Sequence, residues 1–281
     1  MAGEPRDRAL SLLIAANNHR DFAIKVSSLR EAKDILLPLD LSPTAELLSN
    51  LVELQSSPEL VARRALLELV DEIGLKAMGH SSALMPVLLT LLKDDHYIVA
   101  KQSIVCGSNL FSSVLQEMSL QFQLCGKVER FLEELWSWMT KFKEAIFVIA
   151  LESGCVATKL VALKFLETCV LLFTYDATET EAPVREGGQR PLKLGLGGGH
   201  LILDPYMLMS EAKRTLGILL DLLQSACSLP GPLTITVVNS NSLSDNDVVD
   251  IFLALCNTVK MLKGDMGSYS SKRLACGYCK E

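Results

Sequence analysis

The sequence is poor in the residues on which several classes of protein depend. Aromatic residues make up 6% of the 281 residues, although 49% are hydrophobic. The apolar residues are mainly Leu, Val, Ile and Ala, which favours packed helices over a β-sandwich. No run approaches the ~18 uncharged apolar residues of a membrane helix. The short run Ala9–Ala16 is followed by Asn17 and has no convincing cleavage site, so a helix is expected there and no membrane partner.

An excess of positive charge is also absent. The formal net charge is −6, and the residues from Lys260 onward include five cations and two anions, so the first 259 residues carry −9. A domain that coats nucleic acid needs a basic stripe. We therefore expect no direct sequence-specific binding of nucleic acid.

Cysteine and histidine are too sparse to suggest a chemical site. Eight cysteines in 281 residues are far below the density of a disulfide scaffold, which indicates a reducing compartment, the cytosol or the nucleus. Cys276 and Cys279 resemble half of a zinc site or a redox pair, but no second pair lies near them, and a frayed tail is favoured. The four histidines are far apart. No catalytic residue, metal ligand or cofactor is predicted.

Helical periodicity is the main positive signal. Windows that start at Leu66, Leu84, Val128 and Leu166 place apolar residues at i, i+3, i+4 and i+7, which is typical of amphipathic helices. Ser57-Pro58-Glu59 predicts a helix start with Ser57 as the capping residue. Asp94 and Asp95 divide two apolar stretches and are predicted to cap the second.

A repeated order of residues predicts the architecture. Within Leu84–Lys101, an apolar helix with an early proline is followed by an aspartate turn and by a second helix that opens Val-x-basic. Val61–Leu66 repeats the second half 38 residues before Val99, and Val156–Leu163 is a looser copy 57 residues after it. A spacing near ~40 predicts an all-α, HEAT/armadillo-like α-solenoid of stacked antiparallel helix pairs. In each copy the valine should pack inward and the basic residue should reach an acid of the neighbouring repeat. The alternative is an irregular helical bundle.

Composition divides the chain into two predicted parts. Residues 1–240 are expected to form the solenoid domain, with a long exposed loop at 175–205 that holds three of the ten prolines and six of the seventeen glycines. Residues 241–281 form a divergent tail with one amphipathic stretch, Val248–Lys263.

Four lysines suggest a basic patch. Lys159 and Lys164 are close in sequence, and Lys141 and Lys143 precede them across one predicted turn. The patch is either a solvated face or a surface that docks a partner.

Three segments together resemble a known family. They are Glu53–Glu68, the repeat at Leu84–Lys101, and the stretch Ala162-Leu-Lys-Phe-Leu-Glu167. In order they look like the N-terminal HEAT domain of the symplekin family in its plant-like form, over roughly residues 20–240. After Ser240 the chain departs from the family pattern and looks like a truncated form.

The resemblance implies a function. Symplekins are nuclear, non-enzymatic scaffolds of pre-mRNA cleavage and polyadenylation, and this domain docks a phosphatase that acts on the RNA polymerase II C-terminal domain. The family's docking lysine matches Lys164, so Lys164 is the first expected partner-binding residue, with Lys159 and Lys143 beside it. Other cleavage and polyadenylation factors are the further expected partners. The alternative function is a generic HEAT adaptor for transport or for phosphatase assembly.

Overall fold

A computed structural model of the chain describes residues 3–36, 45–152, 154–173, 203–224 and 232–233. Every element of secondary structure in these ranges is helical, and none of these residues forms a strand. The all-α prediction is confirmed. The helices are α1 (Gly3–Asn18), α2 (Phe22–Leu36), α3 (Ala45–Leu54), α4 (Leu60–Lys76), α5 (Met85–Leu91), α6 (Tyr97–Cys125), α7 (Arg130–Leu151), α8 (Val156–Phe173) and α9 (Pro205–Gln224), with a short 3-10 helix at Met78–Ala83.

The even-numbered helices contact one another in series. α2 packs on α4, α4 on α6, and α6 on α8. Polar contacts join the first three, because Lys33 Nζ lies 2.8 Å from Glu72 Oε1 and Asn109 Nδ2 lies 3.3 Å from Asp71 Oδ1. α1 packs on α2 and α3, and α9 packs on α8.

Buried positions reveal the true spacing of the repeat. The buried residues Ala62, Leu66, Leu69 and Ile73 of α4 correspond, 37 positions later, to Val99, Ser103, Cys106 and Leu110 of α6. A further 59 positions lead to the buried residues Thr158, Ala162, Phe165 and Cys169 of α8. The copies of the sequence motif predict spacings of 38 and 57 residues instead.

This difference overturns one detail of the predicted repeat. Val99 is fully buried as expected, but Val61 is 39% exposed and Ala62 takes the inward position. One residue of offset rotates a helical position by about 100°. The prediction that the valine packs inward is therefore wrong for Val61 in the first copy.

The predicted helix starts are nearly right, but their capping residues are not. α4 begins directly after Glu59, which is its N-cap and makes no side-chain capping bond, while the Ser57 hydroxyl donates to Glu59 Oε2. α6 is capped by His96, whose ring nitrogen accepts from the Ile98 N–H. Asp94 instead accepts from the backbone N–H of His96 at 2.8 Å and so holds the turn before the helix.

The predicted contact between a basic residue and an acid of the next repeat is present. Arg63 of α4 reaches Asp94, with Nε 2.7 Å from Oδ2 and Nη2 3.2 Å from Oδ1. Both side chains are mostly buried, at 15% and 9% exposure. The pair therefore ties α4 to the turn before α6.

We expect Asp94→Ala to lower the free energy of unfolding by about 2 kcal/mol, because it removes the carboxylate that contacts Arg63 Nε and Nη2 and that accepts from the His96 N–H. Urea denaturation followed by circular dichroism measures the change. The matched control is Asp95→Ala, since Asp95 is exposed and should change stability by less than about 0.5 kcal/mol. Equal effects of the two variants would contradict the role assigned to Asp94.

α6 is a long, apolar helix of 29 residues. By length and composition it is the one helix in the described ranges that could cross a membrane. However, 56% of its apolar window is buried in the structure, and α6 packs against α4, α7 and α8. These contacts are those of a core helix.

Two sequence predictions fall largely outside the described residues. Of the predicted loop at 175–205, the structure describes only the last three residues: Leu203 is fully buried, and α9 begins at Pro205. The tail at 241–281, with its stretch Val248–Lys263, lies outside the described ranges altogether. The division into a domain and a tail stays a prediction.

Candidate functional site

α8 carries the predicted docking lysine and has two distinct sides. It packs against α6, α7 and α9. Phe165 and Leu166 point into the core, at 2% and 0% exposure. The Lys164 side chain, next to them in sequence, is 58% exposed. The helix therefore presents Lys164 outward from a rigid, packed base.

Exposed apolar side chains also lie on α6 and α8. The spacing of 59 positions between α6 and α8 makes Val105 the equivalent of Lys164, and Val105 is 37% exposed. Leu120 of α6 and Leu171 of α8 are 47% and 45% exposed on the outward sides of the same two helices. We call Val105, Leu120, Lys164 and Leu171 the α6–α8 face. Lys164 supplies the charge in this set.

Lys164 has a weak partner of its own. Its Nζ lies 2.7 Å from Glu167 Oε2 in an i,i+3 pair. Water screens the pair at its lysine end, although the Glu167 side chain is only 11% exposed. The ammonium group has three N–H donors, so it can also bind an acid on another protein.

Lys159 does not share this face. It is half-buried in the first turn of α8, and five residues separate it from Lys164, which is about 140° around the helix. By the burial spacing, Lys159 is equivalent to Arg63, the residue that reaches the neighbouring repeat.

Lys143 is in a different environment from the one predicted. It is only 5% exposed, and its ammonium contacts Glu211 of α9. The rings of Phe147 and Phe173 lie 6.0 and 5.9 Å from the same nitrogen. α9 covers Lys143, so the prediction that it belongs to an exposed basic patch is wrong, and its expected role in partner binding stays a prediction.

The last of the four lysines, Lys141, lies 4.2 Å above the ring of Trp138 on α7. Trp138 and Trp136 are both half-buried. The four lysines thus have four different environments, and the structure does not bring them together.

A second charged contact joins α7 to α9. Arg214 donates through Nη1 to Glu144 Oε1 at 2.9 Å and through Nη2 to Glu144 Oε2 at 3.0 Å. The hydrogen bonds from Arg214 lower the pKa of Glu144, and those to Glu144 raise the pKa of Arg214. Seventy residues separate the two partners, and nothing in the sequence pattern pointed to them.

Reactive and metal-binding groups are few in the described ranges. No group of three or more His, Cys, Asp or Glu side chains is placed there to hold a metal ion. Cys106 and Cys169 are buried, and burial raises the pKa of both thiols. Cys155 is exposed at the start of α8, where the backbone N–H groups of Thr158 and Ala157 lower its pKa.

Comparison with known proteins agrees with this description. The model of the family described as Symplekin/PTA1 N-terminal matches residues 96–243, more than half of the chain and a range that contains α6, α7, α8 and α9. No curated protein matches the chain. The match covers the whole α6–α8 face, and the chain belongs to the Symplekin/PTA1 N-terminal family.

Proposed function

We propose that this chain is a non-enzymatic nuclear scaffold whose α6–α8 face docks a phosphatase of the RNA polymerase II C-terminal domain. Membership of the family supports the coarser statement, a scaffold in mRNA 3′-end processing that binds other processing factors. The phosphatase as partner, the action in polyadenylation and the nuclear location are our proposals.

A solenoid of stacked helix pairs is the architecture that we propose for the scaffold. Three observations support it: the even-numbered helices pack in series, the buried positions of α4, α6 and α8 correspond at spacings of 37 and 59 residues, and Arg63 bridges to the next turn. Each pair lacks enough core of its own and shares apolar surface with its neighbours. Such a stack presents a rigid surface, so a partner docks with little loss of loop freedom.

The observation that carries the proposal is the exposure of Lys164 on a packed helix, with the exposed Leu171 about two turns further along the same side. Interfaces bury apolar area around a few energetic anchors, and a charge there favours a partner with a complementary acid. We propose that an acidic side chain of the phosphatase replaces Glu167 as the partner of Lys164. Apolar side chains of the phosphatase would then contact Val105, Leu120 and Leu171 of the same face.

We expect Lys164→Ala to weaken phosphatase binding about tenfold or more, because it removes the charged anchor without touching the core. Thermal unfolding should stay within about 2 °C of the parent, since the Lys164 side chain is 58% exposed and its truncation leaves the core packing unchanged. Isothermal titration with the purified phosphatase measures the affinity. Lys164→Glu should weaken binding further by repelling the partner's acid.

The matched control is Lys213→Ala, which removes an exposed lysine from α9 rather than from the α6–α8 face. Its affinity should equal that of the parent. Unchanged affinity in Lys164→Ala would remove this residue from the site. Affinity purification of the 1–281 chain from nuclear extract tests the wider proposal, and recovery of transport receptors in place of processing factors would favour a generic adaptor.

A further inference from the structure

A cavity lies in the part of the chain that precedes the family match. It has a volume of about 260 Å³ and forms where α1 and α3 end and where the turn to α4 begins. Its lining includes Asn17, Lys25, Glu53, Ser57 and Pro58. The α6–α8 face does not include any of these residues.

Lys25 is the cavity's buried cation. It is 7% exposed, and its Nζ donates to Glu59 Oε2 at 3.2 Å. Glu59 is its one acceptor among the residues that the structure describes. Because an ammonium group has three N–H donors, two of them remain for a group in the cavity.

Ser57 lies beside this cation and already contacts an anion. Its hydroxyl donates to Glu59 Oε2 at 2.6 Å, the same oxygen that accepts from Lys25. Arg63 Nη1 donates to the Ser57 carbonyl at 2.6 Å, which places a guanidinium in the same turn. The hydrogen bonds from Ser57 and Lys25 lower the pKa of Glu59. Negative charge is therefore stabilised next to the Ser57 hydroxyl.

We propose that Ser57 is a phosphorylation site for a proline-directed protein kinase, with Lys25 as the residue that binds the added phosphate. Pro58 follows the serine directly, as kinases of that class require. In the reaction Ser57 Oγ attacks the γ-phosphorus of ATP. The new O–P bond replaces the bond to ADP, which leaves, and the hydroxyl proton passes to the catalytic base of the kinase.

The turn is accessible enough to be a substrate. Residues 55–59 lie between the helices, and Ser56 and Pro58 are exposed. The backbone bonds that hold the turn run from Gln55 to Val52 at 3.3 Å and from Ser57 to Leu54 at 3.1 Å. Such bonds at a helix end open at low cost, so a kinase can engage the segment in extended form.

The phosphate changes which anion Lys25 binds. It brings a charge of about −1.5 to −2 and repels the Glu59 carboxylate. The Glu59 side chain is 31% exposed and turns to solvent, while the buried Lys25 pairs with the more highly charged group. Phosphorylation thereby strengthens the link between α2 and the turn before α4.

The first test uses the purified full chain, ATP and a cyclin-dependent kinase, with peptide mass spectrometry as the readout. We expect a phosphate at Ser57 that is lost in Ser57→Ala and formed at least about tenfold more slowly in Pro58→Ala. Ser42-Pro43, the other Ser-Pro dipeptide of the chain, reports whether the kinase is active. Absence of phosphate at Ser57 in a chain that is phosphorylated at Ser42 overturns the proposal, and so does absence at both sites when a synthetic Ser-Pro peptide in the same mixture is phosphorylated.

The second test addresses Lys25. Thermal unfolding of the phosphorylated chain should occur at least about 2 °C higher than that of the unmodified chain. The rise should vanish in Lys25→Gln that carries the same phosphate. A fall in the parent, or a rise that persists in Lys25→Gln, would overturn the assignment of Lys25.

Discussion

Gly107→Ala is expected to lower the free energy of unfolding by about 3 kcal/mol. A Cβ atom at Gly107 of α6 would lie within 2.6 Å of three ring carbons of Phe142. Phe142 of α7 is fully buried and packs edge-on against Phe165 of α8, with ring centroids 5.7 Å apart. The ring therefore cannot move without disturbing a third helix. Urea denaturation of the purified variant measures the loss.

Two further variants separate this clash from the ordinary effect of glycine in a helix. Gly217→Ala in α9 meets no atom within 4 Å and should stabilise the chain by about 0.5–1 kcal/mol, because alanine is the better helix former. Adding Phe142→Leu to Gly107→Ala should cost less than the two single changes together, since the smaller side chain relieves the overlap. Strict additivity would show that Gly107 and Phe142 are not coupled.

Glu211→Ala is expected to lower the free energy of unfolding by about 2–3 kcal/mol. The change leaves the Lys143 ammonium buried, with Glu144 4.0 Å away as its nearest carboxylate. Breaking a buried ion pair from one side is costly because the remaining charge stays desolvated. The expected loss is at the low end of the range for buried ion pairs, because the Glu211 side chain is 37% exposed.

A double variant tests the reason for this loss. Lys143→Met removes the charge and keeps an apolar chain of similar length, so adding it to Glu211→Ala should restore at least about 1 kcal/mol. Glu31→Ala is the control, since it breaks the exposed Arg8–Glu31 pair and should cost less than about 0.5 kcal/mol. A double variant that is less stable than Glu211→Ala would mean that Lys143 acts through packing and not through its charge.

The sequence predicted the helices well because helical periodicity is a local property. The windows at Leu66, Leu84, Val128 and Leu166 all fall in or beside observed helices. The link between a basic residue and the next repeat was also predicted, because both Arg63 and Asp94 belong to the repeated motif. The capping residues were less predictable. The N-cap of α4 is Glu59, two positions after the predicted Ser57, and both residues fit the sequence pattern of a helix start.

The candidate site was predicted in part. Resemblance to the family singled out Lys164, and the structure places its side chain on the surface. The same reasoning grouped it with Lys143, which α9 buries. Closeness in sequence cannot distinguish an exposed lysine from a buried one, because the residue that pairs with Lys143 is 68 residues away in α9.

Local pattern alone determined that the described part of this chain is helical, and it predicted the spacing near forty residues that relates α4 to α6. Tertiary structure decided which positions face inward, because a shift of one residue in register turns a side chain by about 100°. It alone decided that Val61 is exposed, that Lys143 is buried and that Gly107 admits the ring of Phe142. Each of these facts depends on how helices that are distant in sequence pack against each other. A sequence pattern within one helix does not predict that packing.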